Sequence, residues 1–361
     1  MKIALVGIYP PPYGGRSIHI QRLKKRLEED GVTCTVYENS GVLKKENNVI
    51  IMKSMSTWLI GQLLHGTEDV IHCHNDSRKL LILFSLLSIL KDKRIIFTLH
   101  SFIYSPKDFD LWYKFAFWLA TRVRVYFITV GPEIKEKIVS LGVKSEYVEV
   151  IPSFIPPAIR EEEIAEIPEE VWDFIDSHSP VISANASKIS FYNNQDLYGI
   201  DMCIDLCANL KKDYSQIGLV LSLPDIGNYE YFEKMKQRIV KKGIENNFLF
   251  QTKPCQFYPI LMKSNVFVRP TNTDGYGVSI AEAISFDVPA IASDVCPRSE
   301  GTILFKSRDA DDFTLKVKDV LNNYVQHKKK IANIELENNI EKIVKIYKSL
   351  MNEKTKGVKI D

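Results

Sequence analysis

Two carboxylates, Asp274 and Glu282, stand either side of a turn that contains Gly275 and Gly277. An apolar strand-like run, Val266-Phe-Val, leads into the turn, and helical character begins near Ser279. Paired glycines let a backbone turn tightly and bring its amides close to a ligand. A helix start adds unpaired N–H groups and the positive end of its dipole, which together suit phosphate. Carboxylates beside such a site do not bind phosphate; they accept hydrogen bonds from sugar hydroxyls. Phosphate in the middle and hydroxyls on both sides outline a nucleotide sugar. On that reading the backbone from Gly275 through Tyr276, Gly277 and Val278 to Ser279 cradles the diphosphate. A plainer reading stays open, because Ser279-Ile-Ala-Glu282 also fits a capping box with serine at the N-cap.

Other residues could join this chemistry. His100 ends the strand-like run Phe97-Thr-Leu-His, and strand C-termini in a parallel sheet face the ligand crevice. It could equally be a satisfied polar residue. His72 and His74 share one face of a strand, as a metal pair would. With no third or fourth ligand evident nearby, no metal is expected. Asn75 and Asp76 follow and could touch an acceptor. The run Pro10-Pro-Pro-Tyr-Gly-Gly-Arg-Ser17 lacks the Gly-x-Gly-x-x-Gly spacing of a dinucleotide fingerprint. Gly14 and Gly15 could still let amides approach an anion, with Arg16 adding charge. Asp108-Phe-Asp110 and Asp309-Ala-Asp311 have a metal-binding tripeptide spacing. Such tripeptides arise by chance, and acids are favourable at helix starts, so neither is read as a metal site.

These residues need rigid elements behind them. Residues 2–8 read as a buried strand, 17–30 as a helix stopped by Gly31, and 32–37 as the next strand. Strands at 69–74 and 94–100 alternate with a helix at 79–90. A helix at 108–122, a strand at 126–130, a helix at 131–141 and a strand at 147–151 complete the half. A linker at 160–179 follows. Alternation restarts with strands at 181–184, 217–221 and 248–250 and helices at 199–211, 229–242 and 258–264, then the unit around Asp274. An amphipathic helix, 335–352, closes the chain. Alternating strands and helices imply α/β folding with parallel sheets covered on both faces. A length of 361 residues fits two such domains, here 1–160 joined by 340–361, and 161–339.

Composition is that of a globular protein. The net charge of +2 hides an asymmetry: residues 1–160 hold 22 Lys+Arg and 15 Asp+Glu, the remainder 25 and 30. A mildly basic N-terminal half suits an anionic partner but does not support nucleic-acid binding. The six cysteines form no Cys-x-x-Cys pair, and Cys203 with Cys207 reads as helix packing. The N-terminus is a short strand rather than a signal peptide, which points to the cytoplasm. Two stretches could meet a membrane: the apolar run Leu80 to Leu90, and Trp112-Tyr-Lys-Phe-Ala-Phe-Trp with its basic neighbours. Core packing is the preferred account of both, with peripheral contact to anionic lipid compatible with the charge.

The Asp274 segment resembles the E-x7-E signature of the retaining GT-B glycosyltransferases of family 4 (group 1), of the bacterial polysaccharide type. That pattern reads Pro-x-x-x-Glu-Gly-Phe-Gly-x-x-x-x-Glu-Ala, and Pro270, Gly275, Gly277, Glu282 and Ala283 fall in register, with Asp274 in place of the first glutamate. The Gly14-Gly15 loop and Thr98-Leu-His100 are similar to the family's loop and Thr-x-His strand. The resemblance implies two Rossmann-like, doubly wound domains facing a central cleft. It also implies transfer of a sugar from a nucleotide diphosphate-sugar to a saccharide or lipid-linked saccharide at the inner face of the membrane, with no further cofactor. Glu282 would then hold the nucleotide ribose, Asp274 the sugar hydroxyls and His100 the sugar. One departure stands out. The family's Gly-Arg and Lys that grip the diphosphate are absent between Ala184 and Gly199, leaving Lys188, Arg16, Arg269 and Arg298 as candidate cations. A sugar-nucleotide 2-epimerase of the same fold, or a donor-binding pseudoenzyme, remain alternatives.

Overall fold

The computed structural model describes residues 1–38, 40–41, 46–75, 77–91, 93–100, 111–123, 125–334, 336–337 and 339–353. Asp76 and the Asp108–Asp110 tripeptide lie outside the described residues, as does Glu335. The chain divides into two units, residues 1–155 with 338–361, and residues 156–337.

In the first unit the order begins β1 (Lys2–Gly7), α1 (Gly15–Glu29), β2 (Thr33–Glu38), β3 (Val49–Ile51), α2 (Met55–His65) and β4 (Val70–Cys73). It continues with α3 (Arg78–Lys91), β5 (Arg94–Leu99), α4 (Leu111–Arg122), β6 (Tyr126–Thr129), α5 (Pro132–Ser140) and β7 (Val148–Val150). These strands form one parallel sheet in the order β3-β2-β1-β4-β5-β6-β7. A parallel sheet needs a crossover between neighbours, so both of its faces carry helices. The period of two along β1 assigns its residues to the faces. Ala4 and Val6 pack with residues of α2 to α5, whereas Ile3 and Leu5 pack with α1.

The second unit runs α6 (Glu161–Ala165), α7 (Glu169–Ser177), β8 (Val181–Asn185), β9 (Phe191–Tyr192), β10 (Gln195–Asp196), α8 (Ile200–Leu210), β11 (Gly218–Ser222) and α9 (Tyr229–Lys241). Then come β12 (Phe248–Gln251), α10 (Tyr258–Met262), β13 (Val266–Arg269), α11 (Val278–Ser285), β14 (Ala290–Ser293), β15 (Ile303–Phe305), α12 (Ala310–Asn322) and α13 (Tyr324–Ile331). Six of its strands form a second parallel sheet, β12-β11-β8-β13-β14-β15, while β9 and β10 make a separate small antiparallel hairpin. Asp309 is the N-cap of α12 and accepts from the Asp312 amide at 3.0 Å. That explains the second acidic tripeptide without a metal. Cys203 and Cys207 are buried in the core against α8 neighbours.

The last helix, α14 (Asn339–Glu353), belongs to the first unit. Its Ile340, Ile343, Ile346, Tyr347 and Leu350 are buried on the α1 face of the sheet, and each such side chain contributes about 1.5–3 kcal/mol when fully covered. Tyr347 also reaches a polar partner in that core. Its hydroxyl lies 2.6 Å from His72 Nδ1, and His72 Nε2 lies 2.6 Å from Thr98 Oγ1. His72 is therefore a satisfied core histidine, with burial holding its pKa well below the usual value.

Core packing at Leu80–Leu90 and Trp112–Trp118 holds for one stripe of each helix and not for the whole. Each helix buries one stripe on the sheet (Leu80, Leu81, Phe84 and Leu87 in α3; Tyr113, Ala116, Phe117 and Ala120 in α4). The opposite stripes, including Leu86, Leu90, Trp112 and Trp118, are exposed.

Replacing Tyr347 by phenylalanine keeps the ring and removes only the partner of His72 Nδ1. A buried polar atom left unpaired costs about 1–3 kcal/mol, so urea unfolding of Tyr347→Phe should show a midpoint lowered accordingly. An unchanged midpoint would show that the hydroxyl contributes nothing to seating α14.

Candidate functional site

The turn between β13 and α11 is built by one glycine that nothing can replace. Gly277 is the N-cap of α11 with φ +75°, and a Cβ there would sit 2.8 Å from Arg298 Nη1 and from Ile280 Cδ1. Only glycine adopts that conformation without strain and leaves that space. The capping box expected at Ser279 is not formed: no side chain caps α11, and Ser279 is its second residue, accepting from Asn185 Nδ2 at 2.7 Å. Glu282 starts the second turn rather than the first and is only 4% exposed. Helix-start amides that no side chain caps suit an anion.

Asp274 is the hub of this turn. Its Oδ2 accepts from Arg269 Nε at 2.7 Å and from Arg298 Nη1 at 2.8 Å, and its Oδ1 accepts from the Gly275 amide at 2.9 Å. Burial alone would raise its pKa. The adjacent Arg269 charge and hydrogen bond, and then those of Arg298, reverse this and hold it at about 2. Arg269 also donates to Asn185 Oδ1 at 3.0 Å and lies over the Tyr198 ring, 5.5 Å from its centroid. Arg298 reaches Thr271 Oγ1 and the backbone oxygen of Ser293, with its side chain 2% exposed. Two guanidiniums share one carboxylate, which leaves one positive charge in excess beside the α11 start. Tyr276 accepts a hydrogen bond from Ser299 Oγ at 3.0 Å. Lys188 is not part of the group. It is exposed, in the loop after β8, where its backbone bridges to Asp225.

Sequence reasoning named Arg269, Asp274 and Arg298 but not their mutual pairing, and it expected Asp274 to offer a free carboxylate. It missed Asn185, Thr271 and Ser293. The ring of Tyr198 faces the Arg269 guanidinium. The only advance signal for Arg298 was its place just after the β14 strand end, where parallel sheets present ligand groups.

In the first unit Gly14 is the N-cap of α1, in extended conformation, and its amide donates to Ser17 Oγ at 3.0 Å. Gly15 and Arg16 open the helix. Beside them lies a grouping that the sequence did not announce. His19 of α1, His74 just beyond β4 and His100 just beyond β5 place ring nitrogens within 4.8 Å of one another. The reading that His72 and His74 have no third ligand nearby is corrected for His74, which meets partners far away in sequence, while His72 turns to Tyr347. His19 Nδ1 lies 2.7 Å from the Ser153 carbonyl, so it carries the proton and donates. Its Nε2 is then an acceptor, buried with no partner among the described residues, as is His74 Nε2. His74 Nδ1 and His100 Nε2 are 3.1 Å apart. Burial pushes the His19 pKa down to about 4, and burial followed by neighbouring imidazoles and Arg16 depresses those of His74 and His100. Neutral imidazoles can hydrogen-bond a hydroxyl or ligate a cation, although three are fewer than a closed structural zinc site takes.

Comparison with known proteins places this geometry. Residues 13–158 match the model of Glycosyltransferase Family 4, and residues 184–337 that of Glycosyl transferases group 1. The chain thus carries the two α/β domains of a GT-B glycosyltransferase. Among solved structures it is similar to a glycosyltransferase from Rickettsia africae (15% identity, covering 97% of this chain and 98% of that one, TM-score 0.73). It is also similar to HepE of Anabaena in complex with UDP (15% identity, 99% and 100%, TM-score 0.64). A third is WaaG, a glycosyltransferase involved in lipopolysaccharide biosynthesis (14%, 95% and 99%, TM-score 0.65). Among curated proteins none matches significantly.

The ion triad makes two predictions. Asp274 has a depressed pKa in the folded protein, so its stabilisation is present above the ordinary carboxylate value and is lost as pH falls from about 4 through about 2. Removing the carboxylate with Asp274→Asn should flatten that acid limb in thermal unfolding measured against pH. Gly277→Ala should lower stability by about 1–3 kcal/mol in urea unfolding, and a neutral result would mean the turn relaxes around a Cβ.

Proposed function

We propose that this glycosyltransferase takes its sugar from a nucleoside diphosphate-sugar and passes it, with retention of anomeric configuration and without a metal, to a hydroxyl of a lipid-linked saccharide. Its place would be the inner face of the cell membrane, in the synthesis of a bacterial surface polysaccharide. One observation carries the donor half of this reading: two arginines share a single carboxylate beside a helix start that no side chain caps, so the triad's excess positive charge lies next to the positive end of the helix, where a diphosphate would sit. That pair also answers the absence of the family's Gly-Arg and Lys. The UDP seen in HepE supports the same chemistry, and the role of WaaG in lipopolysaccharide biosynthesis supports the saccharide acceptor.

In this reading Glu282 holds the ribose, and the amides of Tyr276 to Ser279 take the diphosphate, the Gly275 amide being held by Asp274. Asp274 keeps about one of its four lone-pair positions for a sugar hydroxyl. Gly14, Gly15, Arg16 and His100 serve the sugar and acceptor side. The bond from the anomeric carbon to the phosphate oxygen breaks as the acceptor oxygen bonds to the same face. The acceptor proton passes to the departing diphosphate. Charge developing on that leaving group is met by Arg269 and Arg298, a kind of preorganised stabilisation worth several kcal/mol in such sites.

Donor binding is read by a thermal-shift panel of nucleotide sugars. A donor at a hundred times its dissociation constant adds about 2.7 kcal/mol of stability, and Glu282→Ala should abolish that shift. Persistence of the full shift in Glu282→Ala removes Glu282 from the ribose. Transfer should survive EDTA. Loss of activity with chelator, restored by zinc, would instead make the His19–His74–His100 group a metal site. NMR of the donor alone, without acceptor, tests for epimerisation, and a changed sugar would replace transfer by the 2-epimerase reading.

A further inference from the structure

The outer surface of α2, α3 and α4 combines three properties that seldom coincide on a water-exposed face. The first is apolar exposure. α3 leaves Leu83, Leu86, Ile89 and Leu90 open to solvent, α4 leaves Leu111, Trp112, Phe115 and Trp118 open, with Leu111 82% and Trp112 63% exposed, and Leu64 of α2 is exposed beside them. The helices are neighbours, α3 packing against both α2 and α4. Contiguous apolar exposure of this extent on a globular protein marks an interaction surface. The second unit offers an internal control, since among its described residues no helix exposes more than two large hydrophobic side chains.

The second property is charge. Across α2, α3 and α4 there is no aspartate or glutamate, while Arg78, Lys79, Lys91, Lys114 and Arg122 are present. Ordinary amphipathic helices mix both signs on the solvent side. A second copy of these helices would set like charges against one another, whereas anionic headgroups complement them. The third is the type and order of the aromatic groups. Trp112, Phe115 and Trp118 form one stripe along α4, with Phe115 and Trp118 stacked at 5.9 Å between centroids. Arg122 lies over the Trp118 ring and Arg78 over that of Tyr113. Tryptophan rings with a cation over the face suit the headgroup level of a bilayer. No helix among the described residues is long and apolar enough to cross a membrane, so the contact is with its surface.

We infer that α2, α3 and α4 form a docking face for an anionic lipid bilayer, with the α4 aromatic stripe inserted and the lysines and arginines on the headgroups. The inference deepens the membrane-side function proposed above and rests on that reading for its purpose, since a lipid-linked acceptor is presented at such a surface.

The test is flotation of the full-length protein with vesicles of phosphatidylglycerol and phosphatidylcholine, and with phosphatidylcholine alone. The wild type should float with the anionic vesicles, lose binding at high salt, and shift its tryptophan emission to the blue. The double variant Trp112→Ser/Trp118→Ser should weaken vesicle binding by about tenfold or more, with an unchanged far-ultraviolet spectrum. Lys114→Gln/Arg122→Gln should remove the preference for anionic vesicles while keeping the tryptophans. Failure of the wild type to float, or flotation unaffected by the tryptophan double variant, overturns the proposal. So does concentration-dependent dimerisation that the tryptophan variant abolishes, because the face would then be an interface between copies. A nucleotide-sugar thermal shift on the same samples separates the two readings: donor binding without flotation removes the docking face alone, and flotation without donor binding removes the donor reading alone.

Discussion

A single carboxylate between two guanidiniums governs the second unit's functional end. Asp274 is almost wholly buried, and taking a charge out of water is costly unless opposite charge and hydrogen bonds replace the solvent. Arg269 from the end of β13 and Arg298 from the segment beyond β14 supply both. The triad thereby ties together the ends of adjacent strands, and Gly277 is required because any side chain there would occupy the space of Arg298. Removing one member would strand a buried charge, so the turn, the helix start and the two arginines stand or fall as one arrangement.

The first unit works under a different constraint. Its parallel sheet must be covered on both faces, and the two coverings differ in character. α1 and α14 bury nearly everything they present to Ile3, Leu5, Val70 and Ile96, including the His72–Tyr347 contact. α3 and α4 cover the opposite face with one stripe each and leave a second apolar stripe outward. At the strand ends of the same sheet, His19, His74 and His100 gather with depressed pKa values, held neutral by the burial that the sheet imposes. One sheet thus carries a polar group at its C-terminal edge and an apolar surface on its flank.

Much of this was readable from the chain. The apolar runs at 3–6 and 95–97, with helical periodicity between strands, required parallel sheets, and the glycines around Asp274 marked the turn. Other parts were not readable. The α2 segment, Met55–His65, contains Gly61 and a narrow apolar face, so its periodicity is weak, and no element was assigned to it. The helix α12 was read only as a helix start at Asp309–Asp311 and given no extent, its Phe313, Val317 and Val320 being sparse among charged residues. The apolar density of α3 and α4 looked like core because a sequence shows how much of a helix is apolar but not how many neighbours surround it.

Residue order by itself determined the alternation of strands and helices, the position of the glycine turn and the presence of a carboxylate on each side of it. These depend on local periodicity and on backbone conformations that few residues can adopt. Tertiary structure alone decided that Asp274 is already held by Arg269 and Arg298, that Ser279 is not the cap, and that three histidines, from α1 and from just beyond β4 and β5, converge while His72 turns to Tyr347. Each of these is a contact between residues brought together by sheet order, and sheet order is set by the burial of whole faces rather than by any short stretch of chain.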